Sequence, residues 1–309
     1  MIDPTRRDIL GICAAACVPA ALAHAAAPSA VTVPSTAVPG SAARARKPRK
    51  AVKIGMVGAG STLLEKFEVL KRAGFDGVEL DSPSGMKHDE VLAAKQATGL
   101  EVPGVVDSVH WSKPLNHPDA GVRAEGLKAL ETALRDCKAV GGTSVLLVPA
   151  VVNKELAYQE AWTRSQAEIR KVLPLAAELQ VQILIENVWN KFLLGPTELA
   201  RYIDELESPL VGSHFDPGNL VAFGFPEQWV PILGKRIHKV DVKEYTRKKH
   251  SYDGFNVKLN DGDTDWPAVV KALRAVGYDG WYTAEMAGGD EAYLKDLAAR
   301  MDAFLNTGS

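Results

Sequence analysis

The amino-acid sequence predicts a parallel (β/α)8 barrel. Three observations carry that expectation. Short apolar or β-branched runs alternate strictly with longer amphipathic ones, there are eight of each, and together they occupy about 250 residues. An open doubly wound sheet is the alternative. After the first strand, however, GMVGAGST places Gly55, Gly58 and Gly60 at the wrong spacing for a dinucleotide cradle.

Taken in order, strands are expected at 53–57 (KIGMV), 77–80 (GVEL), 102–110 (VPGVVDSVH) and 144–149 (SVLLVP). The second half continues with 182–186 (QILIE), 209–215 (PLVGSHF), 237–243 (IHKVDVK) and 281–285 (WYTAE). Helical patterns fall near 62–73, 87–98, 120–140, 158–179, 195–206, 226–234, 265–276 and 290–305. Several end on a glycine that leads into the next strand, as in RAGFDGVEL and AVGYDGWYT. The stretch EYTRKKHSYDGFNVKLNDGDTDW carries no clear element, and loops that long inside a compact domain are usually functional. Within it Arg247, Lys248, Lys249 and His250 are either a receiver for an anionic substrate or a solvated charge run. Asp265 is expected to cap the helix that follows.

Residues 1–25 read as a cleavable export signal of twin-arginine type. Arg6 and Arg7 precede an apolar run, which ends in the A-x-A pattern Ala23-His24-Ala25. The run is about 15 residues, short for a membrane span of about 20, so no stable insertion is expected after cleavage and the mature protein is expected in the periplasm. Residues 26–50 are rich in Ala, Pro and Ser and end in the basic cluster Arg44, Arg46, Lys47, Arg49 and Lys50, a composition expected to form a flexible linker. The barrel is then expected over 51–306. Cleavage leaves Cys137 alone, so no intrachain disulfide is expected. A formal net charge of −2 gives no electrostatic reason to expect nucleic acid or an anionic membrane as partner.

In such a barrel chemistry gathers where strands end. The fifth strand ends on Glu186, followed by Asn187. The sixth ends in the stretch GSHFDPGN with His214 and Asp216. The seventh carries Asp241 and Lys243 on one face, with Val240 and Val242 on the other. The eighth ends on Glu285, the third on His110 with Trp111 after it, and the second carries Glu79. Glu186, Asp216, Asp241 and Glu285 at one level repel one another unless their pKa values rise or a cation sits among them. An all-carboxylate set favours a hard divalent ion, Mn2+ or Mg2+, over zinc. The bland alternative turns two of the four outward to pair with Lys or Arg.

The runs ILIENVWNKF, GSHFDPGN, KRIHKVDVKEY and YTAEM, in that order, resemble the xylose-isomerase-like barrel family of sugar phosphate isomerases and epimerases. The resemblance extends over about 53–305 and is strongest in the second half. It implies one divalent metal held by Glu186, Asp216 and Glu285. The family's fourth ligand is a His on the seventh strand, where this chain has Asp241. Asp241 is therefore taken as the fourth ligand, with His238, of opposite parity and expected to face the helices, held in reserve.

The resemblance further implies proton abstraction beside a carbonyl through an enediolate, with Glu186 and Glu285 as bases. Lys243 either stabilises the oxyanion or neutralises Asp241 or Glu244. His110, His214 and Asn190 are candidates for sugar hydroxyls, and Trp111, Trp189 and Phe192 either stack on a sugar face or pack the core. The leading expectation is a metal-dependent sugar isomerase or epimerase acting on a small-molecule carbohydrate, alone or as an oligomer. A lyase or hydratase on 3-keto sugars or glycosides would use the same half-reaction. A non-catalytic sugar-binding barrel is a third reading. An abasic-site endonuclease is a fourth, set against by only seven His in the chain.

Overall fold

The structure is a computed structural model, and it describes residues 47–307. The expected signal segment and nearly all of the expected linker lie outside the described residues. Eight strands are present: β1 (Arg49–Lys53), β2 (Gly77–Ser82), β3 (Gly104–Asp107), β4 (Ser144–Leu147), β5 (Gln182–Glu186), β6 (Val211–Phe215), β7 (Ile237–Val242) and β8 (Trp281–Ala284). All pair in parallel with their sequence neighbours, and β8 returns to β1, closing the barrel. Eight α-helices follow the strands one by one. They are α1 (Leu63–Ala73), α2 (His88–Thr98), α3 (Ala120–Ala139), α4 (Tyr158–Leu179), α5 (Pro196–Asp204), α6 (Pro226–Leu233), α7 (Trp266–Ala275) and α8 (Glu291–Leu305).

The local chemistry agrees with the pattern. Helix α1 opens with a capping box, Thr62 accepting from the Glu65 amide while Glu65 reaches back to the Thr62 amide. It buries Phe67, Val69, Leu70 and Ala73, and stops at Gly74, whose φ of 93° suits a residue without a Cβ. Asp265 caps α7 by accepting from the Ala268 amide at 3.0 Å.

Two strands depart from expectation. The first lies at 49–53, not 53–57, and Ile54–Met56 turns away as a short 3-10 segment. Ala51 and Val52 are fully buried, pairing with β2 and β8. Arg49 and Lys50, directly before them, are therefore strand, not linker. Arg49 lies over the Trp281 ring at 4.3 Å, and buried Lys50 carries its ammonium to Asp302 at 2.7 Å. Long basic side chains can bury their stems in this way, so a basic run need not be solvated. The third strand ends at Asp107, because Asp107 Oδ1 accepts the Val109 amide and the chain turns, leaving His110 on a loop. The loop after β7 also holds a short 3-10 turn, Ser251–Phe255.

Outward strand residues, Val240 and Val242 among them, form the apolar layer against the helices. The inside of the barrel is polar. Lys239 of β7 crosses it to meet Glu79 of β2 at 2.6 Å, with both side chains essentially inaccessible. Gly104 leaves room for that crossing, since a Cβ there would stand 2.5 Å from Lys239 Nζ.

Candidate active site

Glu186 is the last residue of β5, Asp216 and Glu285 directly follow β6 and β8, and Asp241 lies near the end of β7. Period-two alternation turns all four inward. One oxygen from each lies within 4.8 Å of the others. Glu186, Asp216 and Asp241 are buried and Glu285 is the accessible member. None has turned outward.

The polar end of β6 has a structural reason. Asn187 and Asp216 bridge each other reciprocally: the Asp216 amide donates to Asn187 Oδ1 at 3.0 Å, and Asn187 Nδ2 donates to the Asp216 carbonyl at 2.7 Å. Asn219 then fixes the carboxylates. Its backbone amide donates to Asp216 Oδ1 at 3.0 Å, and its Nδ2 donates to Asp216 Oδ2 at 2.7 Å and Glu186 Oε1 at 3.2 Å. Gly218 permits the turn to sit against β7, because a Cβ there would meet the Lys243 carbonyl oxygen at 2.5 Å.

Two lysines thread the acidic cluster. Lys243 Nζ lies 2.9 Å from Asp216 and 3.2 Å from Glu285. Lys53, at the end of β1, lies 2.9 Å from Asp241, 3.2 Å from Glu285 and 3.5 Å from Glu79. Sequence reasoning missed Lys53. Its only signal is alternation with Ala51, visible once the first strand is placed at 49–53.

The resulting field separates the acids. Burial pushes Glu186 well up, with Glu285 adding to it, and burial likewise raises Asp241 well above the ordinary range despite Lys53. Burial raises Asp216 against the pull of Lys243. Glu285 is also pushed up by burial, but Lys243 and Lys53 overcome this and hold it well below the ordinary range. Below the cluster, Lys239 and Lys53 overcome burial at Glu79 and hold it at about 2.

His214 takes another place than expected for a sugar contact. His214 is fully buried beneath Asp241, its Nε2 2.8 Å from Asp241 Oδ1. It supports a carboxylate and presents nothing to the pocket. His110 is buried, and its Nδ1 accepts the Val148 amide at 3.3 Å, which puts the ring proton on Nε2. Burial lowers both histidines to about 3, so both are neutral. His238 faces the outer layer beside Val211 and Arg236, apart from the four acids.

Above the acids opens a cavity of about 350 Å³, lined by Trp111, Trp189, Tyr252, Phe255, Lys243 and Glu285 among others. Trp189 is anchored by donating to the Asn219 carbonyl at 2.7 Å, and its ring lies 5.0 Å from Phe255 and 5.1 Å from Tyr252. Two expected contacts are structural instead. Asn190 donates to the Ala150 carbonyl and accepts the Phe192 amide, tying two loops together. Phe192 is buried against Tyr158, Trp162 and Tyr202. Both are turned to the core because the loop after β5 folds back toward β4.

The residues fit a hard divalent cation. Fully ionised, five carboxylates (Glu79, Glu186, Asp216, Asp241, Glu285) would face three ammonium groups (Lys53, Lys239, Lys243), an excess of two negative charges in a buried space. Asp241 Oδ2 and Glu285 Oε2 are buried and make no hydrogen bond, with only the Lys53 ammonium beside them, at 2.9 and 3.2 Å. Oxygen donors with residual negative charge match what such ions bind.

A closed eight-stranded barrel with an acidic cluster at its mouth defines the class, and comparison with known proteins names the family. The model of the xylose isomerase-like TIM barrel family matches residues 67–304, and the chain belongs to that family. It is 27% identical over 243 residues to L-ribulose-5-phosphate 3-epimerase UlaE of Escherichia coli (strain SMS-3-5 / SECEC), covering 74% of this chain and 83% of the relative. Among solved structures, an L-ribulose 3-epimerase superposes with a TM-score of 0.72 at 19% identity, over 84% of this chain and 95% of that one. A D-allulose 3-epimerase from Methylomonas sp. in complex with D-allulose superposes with a TM-score of 0.70 at 18% identity, over 85% and 98%.

Proposed function

We propose that the protein is a divalent-metal-dependent sugar epimerase that exchanges a proton on the carbon beside a carbonyl. The observation that carries this reading is the convergence of Glu186, Asp216, Asp241 and Glu285 at the barrel mouth within 4.8 Å of one another. A Mn2+ or Mg2+ ion held by these four would supply Lewis-acid polarisation of the sugar carbonyl when bound.

The chain's own residues do the rest. One carboxylate, Glu186 or Glu285, takes the proton from the carbon beside the carbonyl. The C–H electron pair then forms the C=C bond of an enediolate as the carbonyl π pair moves onto oxygen. The other carboxylate returns a proton to the opposite face, which inverts that centre. These two residues come from strands three apart around the barrel and lie in unlike fields. Glu186 is raised and Glu285 lowered, as suits a pair that exchanges donor and acceptor roles. Lys243, 3.2 Å from Glu285, brings positive charge to the developing oxyanion. Trp111 and Trp189 wall the cavity and keep water from the reacting carbon. The paired arginines ahead of the apolar run support, in our reading, a periplasmic location for this chemistry.

Incubation of the metal-loaded protein with a panel of ketoses in D2O tests the proposal. The expected result is deuterium on the carbon beside the carbonyl, in both substrate and epimer. Release of a substituent without deuterium return would instead mean elimination.

A further inference from the structure

We propose that this pocket selects an uncharged sugar and rejects its phosphate ester. The inference rests on the epimerase reading for the location of the site and goes beyond it in naming the substrate class. It departs from the phosphorylated ketose in the name of the E. coli relative.

A barrel of this kind receives a phosphate on free backbone amides of the loops after strands seven and eight, at a helix N-terminus, or on an uncommitted cation. Here the loop after β7, the starts of the helices after β7 and β8, and the pocket's own cation are already engaged from within. In the loop after β7, buried Glu244 accepts the amides of Tyr245 at 3.1 Å, Thr264 at 3.1 Å and Asn260 at 2.8 Å. Asp263 accepts the Arg247 amide at 2.7 Å. An internal carboxylate thus holds the place an incoming anion would take. At this face the starts of α7 and α8 are closed by carboxylates, and the turn before α5 holds one too. Asp265 caps α7, Asp290 caps α8 through the Tyr293 amide at 2.9 Å, and Glu198 of α5 accepts the Leu194 amide at 2.9 Å. Each adds negative charge where a phosphate would have sought positive.

Lys243, Arg247 and Lys249 are committed as well. Among the described residues, Lys243 is the only cationic side chain lining the pocket, and it pairs with Asp216 and Glu285. Arg247, one of the anion receivers the sequence offered, donates to the carbonyls of Val221 at 2.8 Å and Gly224 at 2.9 Å and packs over Phe225. Lys249 donates to the Asn256 carbonyl at 3.2 Å. The outer wall is instead aromatic. Trp189, Tyr252 and Phe255 form one continuous shelf, with Trp111 exposed across from it. Such a surface favours the C–H face of a neutral sugar or glycoside and offers nothing to replace the hydration of a dianion.

Calorimetric titration of the metal-loaded protein with arabinitol and with arabinitol 5-phosphate, neither of which has a carbonyl to react, tests this directly. The neutral polyol is expected to bind at least tenfold more tightly, and Phe255→Ala to weaken it about tenfold. Equal or tighter binding of the phosphate, or binding of neither, overturns the proposal. Deuterium exchange with L-ribulose separates the two claims. Preference for the neutral polyol without exchange of any ketose would refute the epimerase reading and leave the selectivity standing.

Discussion

Lys53 Nζ and Asp241 Oδ2 stand 2.9 Å apart, one at the end of β1 and the other near the end of β7, in a space almost closed to solvent. The same ammonium also faces Glu79 and Glu285, so a single cation holds three carboxylates. Lys53→Met should therefore leave buried Asp241 without its ammonium partner, while Glu79 keeps Lys239 and Glu285 keeps Lys243. Breaking a buried pair from one side costs about 3–5 kcal/mol. A divalent ion supplies part of the missing positive charge, so the variant's Tm should rise more steeply with added Mn2+ than the wild type's. Thermal melts with EDTA and with Mn2+ check this. An identical response in both proteins would mean that Lys53 and the ion do not share the same acids.

Glu186 and Glu285 carry the proton in the proposed reaction, so Glu186→Gln and Glu285→Gln should each lower kcat for epimerisation by about 10²–10⁴-fold. Circular dichroism should show the barrel intact, since each amide keeps the volume of the acid it replaces. A variant within tenfold of the wild-type rate removes that residue from the proton path.

The charge imbalance predicts what happens when a metal enters. Burial raises both Glu186 and Asp241, so in the ion-free protein they hold protons to higher pH than ordinary carboxyls do. A divalent ion must displace them. Affinity should rise with pH while these groups are still protonated, and fall as the pH drops below their raised values. Protons should therefore leave as the ion binds. Calorimetry in two buffers of different ionisation enthalpy counts them, and a pH-independent affinity with no proton release would contradict the account.

The four acids were legible because strand position and period-two parity suffice to aim a side chain inward, and parity set Asp241 and His238 on opposite faces. What parity cannot report is what lies between a side chain and the cavity. His214 points inward as expected and is then covered by Asp241. Lys53 was hidden because the strand that aims it is half basic, and the neighbouring KIGMV offers a more apolar but incorrect register. Asn190 and Phe192 sit in a loop whose path is set by tertiary contacts to Ala150 and the α4 aromatics, which leave no local period. Glu244 was read only as a possible partner of Lys243. Its burial and three backbone amides come from a loop that wraps it at long range.

The buried pair of Lys239 and Glu79 beneath the site offers the cleanest test of how the polar barrel interior is held. Lys239→Met leaves Glu79 with Lys53 as its remaining cation, and that cation is already shared with Asp241 and Glu285. Unfolding in urea should show a loss of about 3–5 kcal/mol. The double variant Glu79→Gln with Lys239→Met removes both charges and should recover most of that loss, because a matched neutral pair escapes the desolvation penalty that an orphaned carboxylate cannot. Acid titration gives an independent reading. Burial alone would raise Glu79, but Lys239 and Lys53 hold it at about 2 in the folded protein, against about 4.3 unfolded. A lowered folded value means its stabilisation is complete above the unfolded value and is lost as the pH falls toward 2. That acid-side loss should be much smaller in the double variant. If Lys239→Met and the double variant were equally unstable, the interior would be held by packing around the lysine stem and not by the pairing of its charge.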